Sequence, residues 1–210
     1  MAYTFPELLR NGKSKDHAQN ITILTRSDQS DKTSGFCDEL SGIKAVDFDA
    51  VKRSVCKVRM QELRSSDAFF KTANGTYYFI EFKNSSQSAL DILQFDNGRP
   101  IDSRTGLPVT CSYIEFVLKQ KAFDSLAIAG MTVLQDVPGK DIMDHAVFIV
   151  VRLNDTPKAL NGLINNITRL ATGGNTVLWG LDELKRNGFF REVHTWTEAE
   201  FVPWAKTHLK

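Results

Sequence analysis

The chain has 210 residues, a formal net charge of +1 and 24% charged residues. That length is enough for one well-buried core and does not require a second domain. The near-even charge balance excludes a bulk basic field, so any contact with nucleic acid has to come from a local patch.

Cys37, Cys56 and Cys111 are odd in number, widely spaced and free of any Cys-x-x-Cys pair. This argues against a disulfide framework and a zinc knuckle, and fits a reducing cytoplasm. The first twenty residues, MAYTFPELLRNGKSKDHAQN, lack a basic region followed by an apolar one, and no apolar run reaches the ~18 residues of a membrane span. The expectation is a soluble, non-secreted, cytoplasmic protein with no membrane partner.

In chain order, residues 5 to 10 read as a short helix, ITILT from Ile21 as a strand, and the polar stretch from Arg26 to Gly35 as a loop. Residues 1–44 together read as an accessory segment. From Asp47, the spacing of Val51, Val55 and Val58 predicts a helix to about Leu63, with Asp47 or Asp49 capping its start. Residues 85–112, rich in Ser, Asp, Gly and Pro, read as a surface insertion with a helical turn or two around Ala89 to Phe95.

A long helix is expected from Tyr113, with Phe116, Phe123, Leu126 and Ala127 on one apolar stripe and Gln120, Lys121 and Asp124 on another side. AVFIVVRL at 146–153 reads as a strand buried on both faces. Pro157 opens a predicted helix through Leu170, closed by Gly173-Gly174. GLDELKRNG then gives a short helix and FFREVHTW a strand. Thr197 and Glu200 have capping-box spacing for a last helix that Pro203 should bend or shorten. The order is mixed α/β, a central sheet with helices on both faces.

The chemistry concentrates between these elements, from Ser65 to Asn84. SSDAFF leads into the turn Ala73-Asn74-Gly75, and TYYFIEFKN returns from it. Strand side chains alternate, so Tyr77, Phe79, Glu81 and Lys83 share one face and Tyr78, Ile80 and Phe82 the other. A two-residue Asn74-Gly75 loop would pair Asp67 with Phe82. A three-residue loop ending with Gly75 in the left-handed region pairs Thr72 with Thr76 and Asp67 with Glu81. In the second case two carboxylates and a lysine converge.

Two adjacent carboxylates repel and are relieved by a hard divalent cation such as Mg²⁺, to which the Phe82 backbone carbonyl would add a further oxygen. Such a cation with a neighbouring lysine suits phosphodiester hydrolysis. The same pattern also reads as a cross-strand ion pair on a surface. Glu183-Leu184-Lys185 repeats the Glu-x-Lys triplet without a partner aspartate strand and reads as a solvated helix face. His17, His145, His194 and His208 are scattered, and Trp179, Trp196 and Trp204 read as packing residues. No P-loop and no Gly-x-Ser-x-Gly elbow is present.

SSDAFF followed by YYFIEFKN resembles the core of the PD-(D/E)xK nuclease superfamily, the restriction-endonuclease-like fold. Asp67 matches the first acid and Glu81-Phe82-Lys83 the (D/E)xK element, while Ser66 stands where the pattern has proline. With the preceding helix, VLKQKAFDSLAI and AVFIVV, the similarity covers about residues 46 to 153. The tail GLDELKRNGFFREVHTWTEAEF is similar to the end of small, uncharacterised bacterial members of the group.

The resemblance implies an α/β/α sandwich with a central mixed sheet flanked by helices, in a single domain over 1–210. The nuclease-like core would span 46–153 around the insertion, with 154–210 extending it. It further implies hydrolysis of nucleic-acid phosphodiesters, DNA before RNA, with Mg²⁺ or Mn²⁺ held by Asp67 and Glu81 and with Lys83 positioning the attacking water. A helix acid, Glu62 or alternatively Asp49, would assist the metal, and Gln120 or Lys121 would face the scissile phosphate. A homodimer is left open. Two other readings stand beside this one: a catalytically degenerate member of the fold that binds nucleic acid or protein, and an ion-paired hairpin in an unrelated α/β scaffold.

Overall fold

The computed structural model describes residues 17–25, 36–55, 63–84, 93–96, 99–102, 113–153 and 177–209. The helices expected at 5–10 and 157–170, the loop at 26–35, and Glu62 lie outside these residues.

Six strands form one sheet: β1 (Ala18–Asn20), β2 (Lys44–Asp47), β3 (Ala68–Lys71), β4 (Tyr77–Asn84), β7 (Ala146–Leu153) and β8 (Glu192–Thr197), in the spatial order β1-β2-β3-β4-β7-β8. The first four are antiparallel neighbours, whereas β4–β7 and β7–β8 are parallel, so the sheet is mixed. β4 and β7 run side by side from Tyr77 opposite Ala146 to Asn84 opposite Leu153. Every residue of β7 except Arg152 is buried, as its unbroken apolar run demands of a central strand.

Helices lie on both faces. On one, Tyr78 and Phe82 of β4 meet Trp204 and Phe201 of helix α6 (Glu198–His208), with ring centroids 5.0 and 5.9 Å apart. On the other, Phe79 packs edge-on to Phe48 and Phe190. Phe48 opens helix α2 (Phe48–Val55), and helix α3 (Tyr113–Met131) comes down over Glu81 on that same face. The fold also has the short helices α1 (Ile21–Leu24), α4 (Gly139–His145) and α5 (Asp182–Arg186), a 3-10 turn at Asp38–Leu40 and a separate two-stranded sheet of β5 (Leu93–Asp96) and β6 (Arg99–Asp102). Among the described residues no helix is long and apolar enough to cross a membrane.

Several expectations are corrected. Ile21–Leu24 is a helical turn, not a strand. Ile21 and Leu24, three apart, both drop into the core, and the Thr25 hydroxyl closes the turn on the Thr22 carbonyl at 2.7 Å, so packing overrides β-branched preference. Leu93–Phe95, expected near a helical turn, belongs to a strand of an antiparallel pair in which Asp96 faces Arg99. The Asn97-Gly98 dipeptide between them is a strong hairpin signal.

In α3 the buried side is Leu118, Ala122, Ser125 and Ala129, while Phe116, Phe123 and Ala127 are exposed. The buried side mixes sizes, with Leu118 and Ile128 wholly buried beside Ala122, Ser125 and Ala129, so bulk alone does not choose the face; Phe123 instead packs edge-on to Phe189 with ring centroids 4.8 Å apart. The final helix is not ended by Pro203. The capping box forms, with the Glu200 N–H on Thr197 Oγ1 at 3.3 Å and the Thr197 N–H on Glu200 Oε2 at 2.8 Å, and buried Phe201 and Ala205 bind the helix to the sheet on either side of the proline.

Candidate functional site

The turn after β3 is the three-residue one. Thr72 N–H donates to the Thr76 carbonyl and Gly75 N–H to the Thr72 carbonyl, each at 3.0 Å, and Gly75 has φ +87°. The ladder ends with Ala68 opposite Ile80, and continuing its register by one row sets Asp67 against Glu81. β3 begins only at Ala68, so the Phe82 N–H, pointing that way, is met by a side chain instead: Asp67 Oδ2 accepts from it at 2.7 Å. That bond fixes the Asp67 carboxylate beside Glu81. The N–H and C=O of one strand residue point to the same side, so the Phe82 carbonyl, the further ligand expected from sequence, also faces the Asp67 side.

Glu81 is 0% exposed and has a cation on either flank. Lys83 Nζ, two residues along the same face, lies 2.6 Å from Glu81 Oε1. Lys121 Nζ reaches down from α3 to both Glu81 oxygens, at 2.7 and 2.8 Å, and stands 3.6 Å from Asp67 Oδ1. The Lys121 side chain is 16% exposed, Asp67 22% and Lys83 25%, so the cluster opens to solvent on the Asp67 and Lys83 side.

α3 is held in this position by the segment leading into β3. The Arg64 N–H donates to Asp124 Oδ2 and the Ser66 N–H to Ser125 Oγ, both at 2.8 Å, and the Ser125 hydroxyl donates to Ser66 Oγ at 3.3 Å. Asp124 and Ser125 lie three and four residues after Lys121, on the same side of the helix. The segment that carries Asp67 therefore also sets the height of Lys121. A proline in place of Ser66 would have no N–H to give to Ser125.

The electrostatics follow from burial and charge. Burial, and then the charge of Glu81, push the Asp67 carboxyl up to about 7, against the pull of Lys121, the Phe82 N–H and Lys83. Burial acts to lower the Lys121 ammonium, but Glu81 and Asp67 outweigh it and hold it above the ordinary lysine range. Asp49, on the first turn of α2, accepts from the Ser65 hydroxyl and from Lys52 Nζ, the latter at 2.7 Å. Burial works to raise it, yet the hydrogen bonds of Lys52 and Ser65 and the charge of Lys121 bring it below the usual carboxylate range.

The structure thus brings together Asp67, Glu81, Lys83 and Lys121, with Asp49 at the edge of the same field. Of the two helix residues singled out, Lys121 and not Gln120 meets the carboxylates, because one step along a helix turns the side chain by about 100°. Of the helix acids, Asp49 interacts with Lys121 at the edge of the site, and Glu62 lies outside the described residues. Glu183-Leu184-Lys185 lies in helix α5, with Leu184 buried and Glu183 and Lys185 exposed, and Glu183 pairs with Lys119 at 2.6 Å.

Sequence reasoning missed Arg152, the next-to-last residue of the apolar strand β7. Its neighbour in the sheet is Lys83, so both emerge on one face, and Arg152 has interactions of its own within the fold.

No family model, curated protein or solved structure matches the chain. Among the described residues no three His, Cys, Asp or Glu side chains form a ready metal cage. Asp67 and Glu81 offer two hard carboxylates and Phe82 a carbonyl. This set suits a cation such as Mg²⁺, which is commonly held by one or two carboxylates and keeps several waters.

Proposed function

We propose that the protein hydrolyses phosphodiester bonds of nucleic acid, DNA before RNA, at a PD-(D/E)xK-type site in a restriction-endonuclease-like α/β/α domain. The observation that carries this reading is the pairing of Asp67 with Glu81 on one sheet face with two ammonium groups converging on them. A surface ion pair does not call for a second, half-buried lysine or for an aspartate held up to about 7 beside a glutamate that is wholly buried.

Asp67, Glu81 and the Phe82 carbonyl would hold Mg²⁺ or Mn²⁺. When bound, the cation supplies charge neutralisation at a phosphoryl oxygen and acidifies a water. Lys83, at the solvent-open side, orients the water that adds to phosphorus, and Lys121 stabilises the charge that builds on the phosphoryl oxygens as one P–O ester bond breaks. The products are a phosphate monoester and an alcohol.

The test is cleavage of duplex DNA and of RNA with Mg²⁺ or Mn²⁺ by the wild type and by Lys83→Ala. Loss of a preorganised charge of this kind costs about 10²–10³-fold in rate, and cleavage unchanged by the substitution would remove the mechanism. A second reading, a binding module without hydrolysis, is favoured by the fact that Glu81 already has both its oxygens paired. It predicts DNA binding in EDTA with no cleavage in any divalent metal.

A further inference from the structure

Lys121 has a second consequence for the site. Its Nζ sits between the two carboxylates, against both oxygens of Glu81 and 3.6 Å from Asp67 Oδ1. Those are the oxygens that a divalent cation would use. A cation bound to Glu81 and Asp67 would lie within a few ångströms of that ammonium, in a setting where Glu81 is wholly buried and charge is poorly screened. The two cannot share the seat.

Lys83 conflicts less with such a cation. It meets Glu81 Oε1 from the flank at 2.6 Å and is 25% exposed against 16% for Lys121, so solvent screens it better and it can swing outward and remain while the seat changes hands. Lys121 is on a flexible four-carbon stem and needs another anion when it leaves. The anion that a phosphodiesterase brings to that position is the substrate phosphate.

We propose that Lys121 is a resident cation that a divalent metal must displace, and that a phosphodiester oxygen receives its ammonium, so that metal and nucleic acid load the site together. This rests on the metal-dependent reading above and adds a coupling to it. By linkage, whatever the phosphate adds to metal affinity, the metal adds to phosphate affinity, typically about 5–150-fold. Metal alone binds weakly, and an enzyme loaded only in the presence of substrate is spared idle metal chemistry.

The experiment is calorimetric titration of Mn²⁺ into the wild type, Lys121→Met, Lys121→Gln and Asp67→Asn, alone and with a phosphorothioate DNA duplex that resists cleavage. Lys121→Met should bind Mn²⁺ about tenfold or more tightly than the wild type without DNA. The duplex should tighten Mn²⁺ binding to the wild type and add little for Lys121→Met. Lys121→Gln, which keeps a hydrogen bond to Glu81, guards against a variant that does not fold.

A measurement on the wild type alone stands beside these. Acetylation of Lys121, followed by peptide mass spectrometry, should speed up when Mn²⁺ is added, with exposed Lys206 unchanged. Equal or weaker Mn²⁺ binding by both Lys121 variants, or Lys121 acetylation indifferent to Mn²⁺, overturns the coupling. If Asp67→Asn abolishes Mn²⁺ binding in that case, the metal site itself survives. If no form binds Mn²⁺, or Asp67→Asn binds as the wild type does, both readings fall.

Discussion

Replacing Asp67 by asparagine removes a carboxyl that the fold holds at a disadvantage, and the direction and pH range of the effect can be worked out in advance. In the unfolded chain Asp67 titrates near 4. In the folded chain burial and Glu81 push it up to about 7. Between these values the folded protein holds a proton that the unfolded chain has released, so stability falls as pH rises through the window and levels off above about 7.

At about 1.4 kcal/mol per pH unit the gap sets a ceiling of about 4 kcal/mol. The carboxyl is 22% exposed, so solvent screens part of this, and an effect of about 1–2 kcal/mol is expected. The amide of the Asp67→Asn variant would keep an oxygen for the Phe82 N–H and carry no charge at any pH. The substitution should therefore show about a third of this stabilisation at pH 5, one unit into the window, and all of it at pH 8, there raising Tm by about 2–8 °C for a chain of this size. Scanning calorimetry of both proteins at the two pH values, with EDTA present so that no cation neutralises the pair, measures it. A difference that is the same at pH 5 and pH 8, or larger at pH 5, would refute the electrostatic account.

Two further substitutions probe how the site is built. Ser66→Pro restores the Pro-Asp order of the nuclease pattern but removes the N–H that binds buried Ser125 Oγ, and should cost about 1–3 kcal/mol in urea unfolding; an unchanged midpoint would show that this bond does not hold α3 in place. Gly75→Ala meets no atom within 4 Å, so its cost is that of the left-handed backbone alone, about 1–2 kcal/mol, and Gly75→Asn should recover part of it. A thermal midpoint for Gly75→Ala equal to that of the wild type contradicts the three-residue turn.

Local rules reached some of this architecture and not the rest. Turn chemistry and strand alternation are properties of neighbouring residues, so they narrowed the partner of Asp67 to Phe82 or Glu81, and the three-residue turn decides for Glu81. The strand Ala146–Leu153 and the Thr197 capping box are local in the same way.

What escaped depends on the distant part of the chain that each residue meets. Lys121 and Gln120 are equivalent in sequence until Asp124 and Ser125 are seen bound to Arg64 and Ser66, which fixes the rotation of α3 about its axis. That same rotation turns the apolar stripe through Phe116 and Phe123 outward and buries Leu118, Ala122 and Ile128 in its place. Strand β2 was unreadable because four residues, one of them charged and exposed, carry too little periodicity to register. Arg152 was passed over because its meaning lies across the sheet, in Lys83.

The two lysines around Glu81 differ also in when they can arrive. Lys83 is two residues from Glu81, and the hairpin that brings Asp67 opposite closes only a short loop, a step of microseconds. Lys121 is 40 residues further along and has to wait for α3 to dock. During synthesis the two carboxylates therefore meet with Lys83 as their one local counter-charge, and Lys121 completes the neutralisation late. Substitutions at Lys83 should slow folding, whereas substitutions at Lys121 should chiefly speed unfolding.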